Sequence, residues 1–374
     1  MKRYAAYDPP EYQNWAPDPA VMAEFRARLS RDPNRRSVVA ALTPAQHLAL
    51  YKGLVRNRLH DVALKRWVRQ GVISKAWLGT GEEAVTVGAV HALQKGDFVG
   101  PMIRNAGACH EMGMPLVDMF RAYLGTSDSP CGGRDIHFGD LSKGVVAPIS
   151  MVGSLVPVCA GIALSFKIQK KDSVAITWVG DGSTRTTAFH EGVMCAKALS
   201  LPLIVFVQDN HIALGTPRAQ HSATPMEGVA TIYAATNYVC DGNNVLDVYA
   251  TTALAAELAR LGNGPIIIIA KTFRMGGHAT HDEGESRKIL PAEDFAYWGK
   301  RDPIGMYETY LRESALELSE SVSNGESLEQ AERDVHEEID NAERQARESL
   351  ERFAPDPLTL TTGVFETRAS GGRI

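Results

Sequence analysis

"SVAITWVGDGSTRTTAFHEGVMCAKALSLPLIVFVQDN" spans residues 173–210 and contains two apolar runs that end alike. The first, "SVAITWV" (173–179), stops at Gly180-Asp181-Gly182, and the second, "PLIVFVQ" (202–208), stops at Asp209-Asn210. Between them "AFHEGVMCAKALS" has the composition of a helix. Val/Ile-rich runs separated by a helix predict strands of a parallel sheet buried on both faces, because a crossover helix lies over each face.

Working outward, the alternation continues. "NVLDVYATTALAAELARLGNG" predicts another helix and "PIIIIAK" (265–271) another strand. Upstream, "TPAQHLALYKGLVRNRLHDVALKRWVRQG" carries apolar residues at helical spacing, among them Leu48, Leu50, Leu54, Leu59 and Leu64, with Gly71 as a stop. "GEEAVTVGAVHAL" (81–93), "PLVDMFRAYLG" (115–125) and "SLVPVCAGIALSFKIQ" (154–169) also read as helices, around a Gly-rich stretch from Thr126 to Gly153. Residues 1–40 are rich in Pro, Asp and Arg and read as an N-terminal arm. The α/β domain runs over 41–290, and a charged helical extension over 291–374 includes a Ser327/Gln330 capping box. The expected class is α/β: a parallel sheet with helices on both faces, an arm before it and helices after it.

The bulk composition excludes several roles. With 374 residues, 44% of them hydrophobic, the chain can bury a full core. A net charge of −5 is the wrong sign for a nucleic-acid footprint. The longest apolar runs fall well short of a membrane span, and the acidic, Pro-containing N-terminus has no leader pattern. Cys109, Cys131, Cys159, Cys195 and Cys240 are odd in number and scattered, which predicts reduced thiols in a cytoplasmic protein.

Ligands of open parallel sheets bind outside the carboxyl ends of the strands, where Asp181 and Asn210 sit, 29 residues and one crossover apart. A carboxylate beside an amide oxygen suits Mg²⁺, which takes its other oxygens from phosphate and water. Gly180 and Gly182 would let the backbone approach a phosphate, and the helix starting near Thr187 would offer it N–H groups. A lone Gly-Asp-Gly is usually only a turn; the second strand end is what points to a site. No GxGxxG follows any strand, so a dinucleotide reading is weaker.

The chain resembles the α subunit of the first component of 2-oxoacid dehydrogenase complexes. The segments that carry the likeness, between Leu42 and Leu311, are "GEEAVTVGA", "GPMIRNAG", "GRDIHFGD", "SMVGSLVPVCAGIA", the 180–210 stretch, "RMGGHATHDEGESR" and "YWGKRDPIGMYETYL". The resemblance implies thiamine diphosphate and Mg²⁺ as cofactors. Asp181, Asn210 and the Ile212 carbonyl would ligate the metal, and Arg104 the diphosphate. Ser150, Met151, Val152, Gly180, Gly182, Ser183 and Leu214 would line the cofactor site. His278 would meet the diphosphate near the reacting centre, and His137 would act on the substrate side; both histidines suit proton handling near neutral pH. His60, His91, His110, His190, His221 and His281 read as structural or surface residues, and Glu82 and Glu83 as carboxylates favoured by a helix N-terminus. This chain departs from the family pattern at Ile103, at Arg185-Thr186-Thr187 and at Asp209.

The resemblance further implies oxidative decarboxylation of pyruvate or a branched-chain 2-oxoacid. The acyl group would pass to a lipoyl-bearing acyltransferase, and a β subunit in a heterotetramer of two α and two β chains would supply the glutamate that activates the cofactor. An acetoin-cleaving or other split transketolase-like subunit, and a non-catalytic paralogue serving as an assembly partner, are the alternatives.

Overall fold

The computed structural model describes residues 1–314, 327–359 and 361; the rest of the expected C-terminal extension lies outside them. Among the described residues, one parallel sheet has strand order β1-β2-β3-β7-β6, with β1 Phe98–Gly100, β2 Ala175–Gly180, β3 Leu203–Asp209, β6 Thr236–Asp241 and β7 Ile266–Lys271. A separate hairpin pairs β4 (Ile212–Ala213) with β5 (Thr216–Pro217).

The central strands carry apolar residues on both faces because both faces are covered. Ile176, Trp178, Ile204, Phe206, Ile266 and Ile268 join one core with helices Pro44–Arg69, Glu83–His91 and Val245–Leu258. Their neighbours Ala175, Val179, Leu203, Val205, Val207, Ile267 and Ile269 pack on the other side against helices Leu155–Ile168 and Thr187–Ala198. This period-2 division is what a doubly covered strand requires. Periodicity did not anticipate β1 and β6, since β1 is three residues long and β6 is only partly buried.

Residues 1–40 form helices Pro10–Gln13, Pro19–Arg31 and Pro33–Ala40, the last two capped by Asp18 and Asp32. Val21, Met22, Phe25, Leu29 and Val39 enter the same core as the Pro44–Arg69 helix. Buried ion pairs tie distant segments together. Arg58 pairs with Glu83 and with Asp302 Oδ1 at 2.9 Å, and Arg3 reaches Asp302 Oδ2 at 2.5 Å. The arm, the long helix and the segment before helix Pro303–Glu313 therefore meet at one buried charge cluster. The 25-residue helix Leu328–Arg352, capped by Ser327, lays Ala331, Val335, Ile339, Ala342 and Ala346 on the body.

Candidate active site

β2 and β3 pair in register from Ala175↔Leu203 to Gly180↔Gln208, so Asp181 and Asn210 leave the sheet side by side. Asp181 opens a 3₁₀ turn (Asp181–Arg185) that leads into helix Thr187–Ala198, with Thr186 as its cap. Asp181 is fully buried. Its Oδ1 accepts from the Gly182 N–H at 2.7 Å, and its Oδ2 has no hydrogen-bond partner among the described residues. Burial pushes the Asp181 carboxyl above the usual carboxylate range, against the pull of His221 and of the Gly182 N–H.

These strand ends form the floor of a cavity of about 540 Å³. The structure brings together there every residue singled out from the sequence: Arg104, His137, Ser150, Met151, Val152, Gly180, Asp181, Gly182, Ser183, Asn210, Ile212, Leu214 and His278. Trp77, Met102, Ile103, Ile149, Leu155 and Trp178 add apolar wall. The two glycines do different things. A Cβ on Gly182 would lie 2.3 Å from that of Ala213, so Gly182 lets the Asp181 turn and the Asn210–Leu214 loop pack closely. A Cβ on Gly180 would meet nothing nearer than Ser183 Oγ at 3.9 Å, so Gly180 keeps room beside the turn.

Arg104 is buried on the turn Ile103–Asn105, with Nε 3.4 Å from Glu82 Oε2. Its Nε and Nη2 have no hydrogen-bond partner among the described residues. His278 is held by its backbone, whose N–H donates to Asp282 Oδ2 at 3.0 Å, while its Nδ1 is unpartnered among the described residues. Burial, with Arg104 and Arg274 adding repulsion, pushes His278 down to about 4. It is therefore neutral at pH 7 in this structure, not a group that titrates near neutrality. The surrounding 274–288 segment, rich in glycine and charge, has Met275 and Arg274 buried and becomes helical over Glu283–Ile289. Also in the lining is His137, where Asp135 Oδ1 lies 2.7 Å from Nδ1 and Ser150 Oγ lies 3.2 Å from Nε2. The carboxylate assigns the ring proton to Nδ1, which leaves Nε2 to accept from Ser150.

Sequence reasoning missed two residues. Glu82 is not simply a carboxylate at a helix end: its Oε1 accepts from both Gln208 Nε2 and Asn210 Nδ2 at 2.9 Å, beneath the site. His221 lines the cavity, its Nε2 3.8 Å from Asp181 Oδ1. A usable signal existed for His221, which follows Asn210 by eleven residues in the connection leaving a strand's carboxyl end. Asp209 is buried and clamped by Arg218 Nη1 at 2.6 Å and Lys271 Nζ at 2.7 Å. Burial alone would raise its carboxyl, but these cations hold it below the usual range.

The family model described as "Dehydrogenase E1 component" matches residues 51–352. The 2-oxoisovalerate dehydrogenase subunit alpha of Bacillus subtilis (strain 168) is 31% identical over 313 residues, covering 82% of this chain and 94% of that protein. A pyruvate dehydrogenase E1 component subunit alpha of Staphylococcus epidermidis is 31% identical over 332 residues, 86% of each chain. The 3-methyl-2-oxobutanoate dehydrogenase subunit alpha of Mycobacterium tuberculosis is 32% identical over 270 residues, 71% of each chain. With the match running across the sheet, the strand-end cavity and the C-terminal helix, the chain belongs to the dehydrogenase E1 component family.

Proposed function

We propose that this chain is the diphosphate-binding half of a 2-oxoacid dehydrogenase first component. With a β subunit, in a heterotetramer of two α and two β chains, it decarboxylates a 2-oxoacid with thiamine diphosphate and Mg²⁺. The acyl group passes to a lipoyl-bearing acyltransferase. One observation carries the reading: Asp181 Oδ2, Arg104 Nη2 and His278 Nδ1 are buried polar atoms without hydrogen-bond partners among the described residues, and all belong to residues lining one cavity. Each such atom costs about 1–3 kcal/mol unless a ligand satisfies it. An anion and a divalent cation fit that set.

Thiamine diphosphate, when bound, supplies a nucleophilic carbon and an electron sink for loss of CO₂. Asp181, Asn210 and Ile212 would hold Mg²⁺, a sparse donor set of the kind that ion accepts when phosphate and water complete it. Arg104 offers its guanidinium to phosphate oxygens. Ser150, Met151 and Val152 would support the cofactor's rings. His137, with Asp135 fixing its tautomer, presents Nε2 to the substrate side, where it can take a proton or, once protonated, steady a developing negative charge. Neutral His278 can exchange a hydrogen bond without adding charge. The apolar walls favour 2-oxoacids with aliphatic side chains. Met151 and Val152, which line the cavity, are 66% and 56% exposed, which supports a partner chain covering that rim.

The test is to purify the chain with its β partner and follow CO₂ release from pyruvate and branched-chain 2-oxoacids, with a dye or a lipoyl domain as acceptor. Thiamine-diphosphate- and Mg²⁺-dependent turnover of at least one acid is expected. Silence across the panel would refute the activity, and turnover by this chain alone would refute the shared site.

A further inference from the structure

We propose that His221 is an additional binding residue of this site, its ring donating a hydrogen bond to the diphosphate held beside Asp181. The assignment rests on reading the cavity as a diphosphate–Mg²⁺ site. Its starting point is an imbalance. Both ring nitrogens of His221 are buried and without hydrogen-bond partners among the described residues, although Nε2 lies only 3.8 Å from Asp181 Oδ1. Buried polar atoms in a folded chain almost always find partners. Here the unpartnered ring lines the same cavity as the unpartnered Asp181 Oδ2, so an anion–cation pair entering there would satisfy both.

The chain also spends specific interactions on holding His221 in place. His221 ends the short helix Arg218–His221. At the start of that helix Arg218 Nη1 donates to both Asp209 oxygens, at 2.6 and 2.7 Å. Just past its end Arg185 Nη2 donates to Ser222 Oγ at 2.6 Å, and that hydroxyl donates onward to the Thr224 carbonyl at 2.7 Å. Asp209 and Arg185 are both positions where the sequence departs from the family pattern. Both brace the segment that carries His221, one at each end, with Asp209 itself also held by Lys271. Because Asp209 precedes Asn210, the brace joins the segment to the strand end that would hold the metal. An imidazole N–H beside a phosphate oxygen forms a charge-assisted hydrogen bond, stronger than a neutral one.

Calorimetry on the α–β complex, titrating thiamine diphosphate and separately inorganic pyrophosphate in the presence of Mg²⁺, tests the assignment. His221→Ala is expected to weaken both by roughly tenfold to a hundredfold. His221→Gln, which keeps an N–H donor, is expected to recover most of the affinity. Equal losses in both variants would point to disturbed packing and overturn the assignment. So would unchanged affinity in His221→Ala, or a loss confined to thiamine diphosphate with pyrophosphate unaffected. If the unaltered complex binds neither probe, the cofactor reading fails and this assignment fails with it.

Discussion

Glu82 Oε1 accepts a hydrogen bond from Asn210 Nδ2 at 2.9 Å, and that contact decides which way the Asn210 carboxamide faces. With the amide NH₂ turned to the carboxylate, Oδ1 is left to accept from the Ile212 N–H at 3.4 Å, with a lone pair that would remain for a cation. Gln208 Nε2 shares the same Glu82 oxygen. Glu82→Gln, which keeps one acceptor for two amides, is expected to weaken Mg²⁺-dependent thiamine diphosphate binding modestly. Glu82→Leu, which keeps none, is expected to weaken it by about tenfold or more. Calorimetry on the complex separates the two; equal affinity in Glu82→Leu and the unaltered protein would show that Asn210 needs no such orientation.

Asp181→Ala is expected to abolish Mg²⁺-dependent cofactor binding while leaving the melting temperature of the cofactor-free complex unchanged or raised. The carboxyl is buried, one oxygen is unpartnered among the described residues, and burial favours its protonated form. The folded chain therefore gains little from that charge until a cation arrives. Thermal melts paired with binding titrations check both halves, and a marked fall in melting temperature would mean that Asp181 serves packing more than a ligand.

The sheet was legible because Ile176, Ile204 and Ile267 belong to short, Val/Ile-rich apolar runs between glycines, prolines and helical segments, a pattern with few other solutions. Asp181 and Asn210 were legible because strand ends concentrate ligands whatever the loops do. Glu82 was not, since its role depends on Gln208 and Asn210, more than a hundred residues away, and nothing in "GEEA" shows that contact. The neutrality of His278 was equally hidden: it follows first from burial of the ring and then from Arg104 and Arg274 converging on it. The anchoring of the 274–288 segment was hidden too, because its partners are far away in sequence: Arg274 Nη2 donates to the Leu214 carbonyl at 3.0 Å, the Thr280 N–H to the Ala76 carbonyl at 2.9 Å, and Arg287 pairs with Glu11.

Asp135→Asn is expected to lower turnover about tenfold and leave thiamine diphosphate affinity unchanged. The substitution replaces the carboxylate that assigns the Nδ1 proton of His137, so the ring can take the other tautomer. Where a buried aspartate does this in a hydrolase triad the loss is about ten-thousandfold. Asp135 is 57% exposed, and water can replace part of its effect. Steady-state kinetics with a 2-oxoacid, alongside calorimetry, checks the split; a loss of cofactor affinity equal to the loss of turnover would count against a substrate-side role for His137.

Asp302 should make the fold sensitive to acid. Burial alone would raise its carboxyl, but Arg3 and Arg58 outweigh that and hold it down to about 2. An unfolded aspartate titrates near 3.9, roughly two units higher. The folded value is the lower one, so this ion cluster contributes its stability in full above about pH 4 and loses it as the pH falls towards 2. Two units correspond to about 2–3 kcal/mol. Asp302→Asn leaves Arg58 and Arg3 with one buried negative charge fewer, and at neutral pH it is expected to cost about 3–5 kcal/mol. Glu83 of the same cluster, raised by burial to about 7, titrates above pH 5, so the gap between the unaltered protein and the variant in denaturant titrations is read below that, where it should narrow as the pH falls below about 4. A gap that does not change with pH would mean that the loss reflects packing around Asp302, not its charge.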